Sequence, residues 1–147
     1  MKLALTPSME NYLETIYGLG LDGQEVRVKD IAVKMKVRMA SVTGALQNLA
    51  KHGLIFYLPY KPIRLTERGA ELALCIANRH KILTSFLKDT LGVAPAVAEE
   101  DACRLEHVLS RETMAGLLNF MVEHHFISDG EKTSIDYWED KKGSDSK

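Results

Sequence analysis

The sequence lacks any long hydrophobic run, and this absence excludes a membrane-spanning helix. The longest apolar runs, such as residues 72–77, fall far short of the roughly 20 residues that cross a bilayer. Residues 1–5 are too short for the hydrophobic part of a signal peptide, and Pro7 follows at once. We therefore predict a cytoplasmic protein with no membrane partner.

Cysteine is scarce, and the catalytic motif of the common metallohydrolases is missing. The chain has 147 residues and only two cysteines, Cys75 and Cys103. A chain of this length buries a core without a covalent cross-link, so both thiols are predicted to be reduced. The pattern H-E-x-x-H does not occur, and a metal-dependent hydrolase is therefore a weak alternative. We predict that the protein is not an enzyme.

The chain as a whole also lacks a large net charge, but its charges are unevenly placed. The formal net charge is −1, yet residues 24–68 contain nine basic residues against three acidic ones, a local net charge of +6. Residues 81–147 carry a net charge of −5. A basic segment in a nearly neutral protein indicates contact with a polyanion such as DNA.

The basic segment has the pattern of a winged helix-turn-helix. Thr6 and Pro7 begin a first helix, and two short helices follow, the third closing at His52 and Gly53. Residues 54–58 and 63–66 read as two strands joined by a basic turn that contains two prolines. We expect the third helix to enter the major groove of DNA and the hairpin to form the wing.

The rest of the chain predicts an all-helical domain, so the fold class is mainly α. A long helix begins near Thr66 and ends near Leu91, a second begins at Pro95, and a third is capped by Ser110. We predict a DNA-binding domain over residues 1–70, a metal-binding and dimerisation domain over residues 71–128, and a disordered polar tail over residues 129–147.

Side chains of three kinds are expected to contact DNA: bidentate donors for base edges, hydroxyls for phosphates, and cations around the groove. The predicted DNA-contacting residues are Arg27, Lys36, Arg38, Ser41, Thr43, Gln47, Lys51, Lys61 and Arg64.

The strongest chemical signal is the segment from Cys103 to His107. Cys103, Glu106 and His107 stand at positions i, i+3 and i+4, which share one face of a helix. Glu99, four residues before Cys103, joins that face. A thiolate, a carboxylate and an imidazole on one face predict a site for Fe(II), Co(II), Ni(II), Mn(II) or Zn(II), and the thiolate argues against a site tuned only to Mn(II).

Three donors leave a coordination sphere incomplete, so other helices are expected to contribute. His80 interrupts the apolar stripe of the long helix, and Asn11 with Glu14 lies beside the core face of the first helix. If these donors share ions with the Cys103 face, bound metal favours one placement of the DNA-binding domains. A winged-helix regulator gated by a small organic ligand instead of a metal is the alternative.

In three segments the sequence resembles the DtxR/MntR family of metal-dependent repressors. These segments are residues 7–17, the basic helix-turn-helix with its wing, and residues 101–110. The resemblance implies a homodimer formed through the C-terminal helices, two metal sites per subunit, and repression of metal-uptake genes at an operator when Fe(II) or Mn(II) is abundant. Longer members have an additional SH3-like domain, for which the sequence has no counterpart.

The resemblance extends to individual positions of the metal site. Cys103, Glu106, His107 and His80 match ligand positions, and Cys103 resembles the iron-responsive branch. Asn11 stands where iron-type members have Met and manganese-type members have Asp, whereas Glu14 is similar to the manganese-type acid. Together these residues match neither branch in full.

Overall fold

The computed structural model describes residues 5–127, which form six α-helices and a two-stranded hairpin. The helices are α1 (Pro7–Gly20), α2 (Val28–Met35), α3 (Met39–Lys51), α4 (Glu67–Ser85), α5 (Pro95–Val108) and α6 (Arg111–Glu123). The strands are β1 (Ile55–Phe56) and β2 (Arg64–Leu65), and a π-helical segment, Phe86–Thr90, follows α4. The predicted fold class is confirmed. The tail predicted over residues 129–147 lies outside the described residues.

These residues divide into two units, one ending at Leu74 and the next beginning at Cys75. The boundary predicted from the sequence lies between residues 70 and 71, and the observed division falls a turn later, inside α4. None of the helices within residues 5–127 has the length and apolarity to cross a bilayer.

In the N-terminal unit, capping residues and a glycine that are recognisable in the sequence set the ends of helices. The Thr6 hydroxyl accepts a hydrogen bond from the Met9 amide at 3.2 Å, which caps α1. Gly53 takes a φ of +72° directly after α3, a conformation in which a residue with a side chain is strained. The core of this unit is apolar and buried; its largest members are Leu13, Ile16, Ile31, Leu46, Leu49 and Leu54.

Helix α4 begins unusually close to the chain that leaves α3. A Cβ added at Gly69 would lie 1.8 Å from the carbonyl oxygen of Leu54, so only glycine fits there. Thr66 secures the same approach, because its amide donates to the Leu54 carbonyl at 3.0 Å and its hydroxyl donates to the Gly53 carbonyl at 2.8 Å. The start of α4 is thereby fixed against the N-terminal unit's own backbone.

The strands of the wing are shorter than the sequence predicts. Each has two residues, with Ile55 paired to Leu65 and Phe56 paired to Arg64, in place of the predicted strands over residues 54–58 and 63–66. Pro59 and Pro62 have no amide hydrogen to donate to a ladder, so the pairing stops early. Ile63 instead bridges to Val26, which precedes α2.

The C-terminal unit packs its helices around a small apolar core. The buried members of that core are Ile82, Leu83, Ala102, Met114, Leu118 and Met121. Ser110 caps α6 as predicted, its hydroxyl accepting from the Thr113 amide at 3.1 Å. Met114 is buried in this core, whereas Phe120 is 39% exposed and packs edge-to-face on Phe86.

Candidate metal centre and nucleic-acid interface

Four predicted metal ligands come together in the C-terminal unit. His80 projects from α4, and Glu99, Glu106 and His107 project from α5. The Nδ1 atom of His80 lies 3.2 Å from an oxygen of Glu106, and its Nε2 atom lies 2.6 Å from an oxygen of Glu99. The Nε2 atom of His107 lies 3.0 Å from the second Glu106 oxygen. Two imidazoles therefore face one carboxylate.

Glu106 is the centre of this cluster and is almost completely buried. Its side chain is 1% exposed, and within residues 5–127 neither carboxylate oxygen receives a well-directed hydrogen bond, although two ring nitrogens lie within 3.2 Å. Burial works to raise the pKa of Glu106, but the contacts with His107 and His80 outweigh it and hold the pKa below its ordinary value. A buried carboxylate between two imidazoles needs positive charge beside it, supplied by a protonated imidazole or by a metal ion.

His80 is placed so that each of its ring nitrogens faces a carboxylate. Contact with Glu106, and then with Glu99, raises the pKa of His80 to about 9, although burial acts in the opposite direction. One imidazole nitrogen usually binds a metal ion while the other is oriented by an acceptor. The donor chemistry and the burial of this cluster fit a divalent transition metal.

Two residues of this cluster escaped the sequence analysis. Arg79 is 5% exposed, and its guanidinium donates to the backbone carbonyl of Glu106, one of the last carbonyls of α5. The Thr84 hydroxyl donates to the His80 carbonyl at 2.9 Å and lies 3.5 Å from Glu99. Arg79 offered a signal, because it stands three residues after buried Ile76 on the apolar stripe of α4.

The other three predicted ligands are Cys103 on α5 and Asn11 and Glu14 on α1. Cys103 lies on α5 one turn before His107 and is exposed. Asn11 and Glu14 are half-buried on α1, in the N-terminal unit, and the Asn11 carbonyl accepts from the Thr15 hydroxyl at 2.8 Å. Their roles as ligands remain predictions.

The predicted DNA-contacting residues lie at the surface of the N-terminal unit. Eight of the nine are exposed: Arg27, Lys36, Arg38, Ser41, Gln47, Lys51, Lys61 and Arg64. Thr43 differs, since it is half-buried and its hydroxyl donates to the Met39 carbonyl at 3.1 Å. Arg27 pairs with Glu25 at 2.9 Å, so its guanidinium already has an acidic neighbour. Cations thus surround α3 and the hairpin, as a groove-binding unit requires.

Comparison with known proteins decides the family. Residues 4–63 match the iron dependent repressor N-terminal DNA binding domain, and residues 66–132 match the iron dependent repressor metal binding and dimerisation domain. An uncharacterised HTH-type transcriptional regulator of Methanocaldococcus jannaschii is 36% identical over 118 residues, which are 80% of this chain and 94% of that protein. The chain belongs to the iron-dependent repressor family. The resemblance to metal-dependent repressors seen in the sequence is confirmed.

Other members of the iron-dependent repressor family agree with this assignment. The transcriptional regulator MntR of Salmonella typhimurium is 35% identical over 116 residues, covering 79% of this chain and 73% of that one. The solved structure of the manganese regulator SloR superimposes with a TM-score of 0.69 at 29% identity, over 80% of this chain. The superposition covers 54% of the SloR chain, so the present chain spans about half the length of that protein.

Proposed function

We propose that this chain represses transcription by binding operator DNA as a homodimer when it holds Mn(II) or Fe(II). Its membership of a family of metal-activated repressors supports this function, as does the basic surface around α3. The observation that carries the metal requirement is Glu106, a carboxylate that is 1% exposed with an imidazole nitrogen near each oxygen. Acting on DNA would place the protein in the cytoplasm.

The ligand set that we propose extends beyond the cluster in the C-terminal unit. Glu106 and His107 would hold one ion together with Cys103 on the same helix, and the sequence adds Glu14 and Asn11 from α1. His80 with Glu99 would hold a second ion, which is consistent with an imidazole that faces a carboxylate on each side. In this proposal metal binding couples to DNA binding, because α1 belongs to the DNA-binding unit.

The proposal is tested by removing ligands from the full chain and measuring metal and DNA binding. Glu106→Ala and His107→Ala should lower Mn(II) affinity by at least about 100-fold in calorimetric titrations, because each leaves the other donors short of a partner. Glu100→Ala is the matched control, since this α5 carboxylate is exposed and pairs only with Arg104 at 2.6 Å among the contacts observed. DNA binding is measured on a duplex that the wild-type protein selects from random sequence in the presence of Mn(II).

The outcomes separate metal gating from the organic-ligand alternative. Wild-type binding that depends on added metal and is lost in Glu106→Ala supports the proposal. Equal binding by the wild type in chelator and in Mn(II), with no metal found by elemental analysis, contradicts it and favours an organic effector.

The identity of the metal depends on Cys103. A thiolate ligand favours Fe(II) and Co(II) relative to Mn(II). Titration with Co(II) should then produce a thiolate-to-cobalt absorption band that Cys103→Ser abolishes, while Mn(II) affinity changes little. If no such band appears in the wild type, Cys103 is not a ligand and the nitrogen and oxygen donors alone select the ion.

A further inference from the structure

Arg79 carries a positive charge into the interior of the C-terminal unit. It is 5% exposed and stands on α4, directly before His80. An arginine side chain keeps its charge and offers five N–H donors, so burying it costs free energy unless acceptors surround it. Among its contacts, the Nη2 atom of Arg79 donates to the backbone carbonyl of Glu106 on α5. The fold therefore holds a charged group at a point where an apolar side chain would pack without that cost.

The carbonyl that Arg79 reaches is one that the end of a helix leaves without an amide partner. Helix α5 ends at Val108, and the Leu109 amide donates to the Leu105 carbonyl at 3.0 Å. The Glu106 carbonyl comes next, among the last carbonyls of the helix, for which no later helical amide is in reach. The C-terminus of a helix also carries a partial negative charge, which a cation stabilises. Arg79 thus caps α5 from α4.

This cap joins the two helices that supply the clustered ligands. His80 follows Arg79 on α4, and Glu106 provides both the capped carbonyl and the buried carboxylate. The contact at 3.2 Å between His80 Nδ1 and a Glu106 oxygen joins the same helices, but it involves side chains that would bind the metal ion. The Arg79 contact uses only a backbone oxygen, so it does not compete with an ion for ligand atoms.

We propose that Arg79 is a positioning residue of the metal centre. By holding the end of α5 on α4, it keeps Glu106 and His107 beside His80 before an ion arrives. A site that is ordered in advance binds more tightly, because binding then loses less conformational entropy. This inference rests on the proposed metal-binding function and deepens it, since it assigns a part in metal affinity to a side chain that does not contact the ion.

The experiment compares Arg79→Met and Arg79→Lys with the wild type, each as the full chain. Methionine keeps an unbranched apolar stem but donates nothing, whereas lysine keeps a charged donor. In calorimetric titrations with Mn(II), Arg79→Met should bind about tenfold more weakly than the wild type, a loss typical of removing an outer partner of a metal ligand. The affinity of Arg79→Lys should fall between the two.

Leu118→Ala is the control for lost stability alone. Leu118 is 1% exposed on α6, in the apolar core of the same unit, and does not belong to the ligand cluster. Its truncation should lower the melting temperature at least as much as Arg79→Met does. The Mn(II) affinity of Leu118→Ala should nevertheless stay within about twofold of the wild type.

Hydrogen exchange in chelator adds a readout that needs no metal. In Arg79→Met the amides at the end of α5, such as that of Leu109, should exchange about tenfold faster than in the wild type, while the amides of α6 change less. In Leu118→Ala the acceleration should be at least as large in α6 as at the end of α5. This difference in pattern separates a lost cap from a general loss of stability.

Wild-type Mn(II) affinity or wild-type exchange in Arg79→Met would overturn the inference, as would an equal loss of affinity in Leu118→Ala. If Arg79→Met does not fold, Arg79→Gln, whose amide donor is two bonds closer to the backbone than the terminal guanidinium nitrogens, takes its place under the same criteria. If the wild type binds no Mn(II), the proposed function has failed instead, and exchange in chelator still tests whether Arg79 holds α5.

Discussion

Replacing Gly69 with alanine should damage the N-terminal unit severely, and the structure gives the size of the effect. The new Cβ would lie 1.8 Å from the Leu54 carbonyl oxygen and 2.8 Å from its carbonyl carbon, about 1.5 Å short of an ordinary carbon–oxygen contact. The obstacle is backbone, so α4 itself must move. That movement would also stretch the two hydrogen bonds from Thr66 to the Leu54 and Gly53 carbonyls.

The combined cost in free energy of unfolding should be about 3 kcal/mol. Steric overlap contributes about 1 kcal/mol, and each of the two weakened hydrogen bonds contributes about 1 kcal/mol. The better helix propensity of alanine returns at most about 1 kcal/mol. For a unit of this size the midpoint of thermal unfolding should fall by more than about 10 °C, measured by circular dichroism.

Gly18→Ala is the matched control for Gly69→Ala. Gly18 lies in α1 of the same unit, and an added Cβ meets nothing within 4 Å. Its alanine variant should be as stable as the wild type or gain up to about 1 kcal/mol. A Gly69→Ala protein that melts within a few degrees of the Gly18→Ala protein would refute the argument from close approach.

Three further predictions concern charge, capping and pH. Lys61→Ala should reduce the slope of log DNA affinity against log salt by about 0.9. Lys88→Ala, at an exposed lysine of the C-terminal unit, is the control and should leave the slope unchanged. Ser110→Ala removes the acceptor for the Thr113 amide and should cost about 1 kcal/mol in urea unfolding; an unchanged midpoint would contradict this. In chelator, the raised pKa of His80, about 9, means that the charged imidazole stabilises the fold fully below pH 6.5 and loses this effect towards pH 9. The difference in free energy of unfolding between wild type and His80→Asn should therefore narrow as the pH rises from 6.5 to 9. A difference that stays constant over this range would argue against the stabilising role of the charged imidazole.

The helices could be predicted well because residues close to each end in the sequence determine where a helix begins. Thr6 caps α1 by accepting from the Met9 amide, and Ser110 caps α6 by accepting from the Thr113 amide. Each contact spans three residues, and Pro7 at the first helical position adds a further local signal. The approach of Gly69 to Leu54 could not be predicted, since it depends on how two distant segments pack. The wing strands were predicted too long because an apolar run was taken as continuous pairing.

In the candidate site, too, features set by local spacing could be predicted, whereas a contact between distant residues could not. The spacing of Glu106 and His107, and the interruption of an apolar stripe by His80, identified residues that lie together in the C-terminal unit. The sequence could not reveal that Arg79 donates to the Glu106 carbonyl, because that contact joins residues 27 positions apart. A buried arginine beside a predicted ligand is the signal to look for in similar chains.

The brevity of the hairpin has a consequence for how the protein behaves in concentrated solution. Phe56, Leu58 and Tyr60 are exposed, and next to a long open strand they would invite other copies to add strands and form fibres. Here the ladder ends after two residue pairs, and Pro59 and Pro62 offer no amide hydrogens to an incoming strand. The hairpin can therefore expose apolar side chains without presenting an open strand edge to which another copy could add a strand.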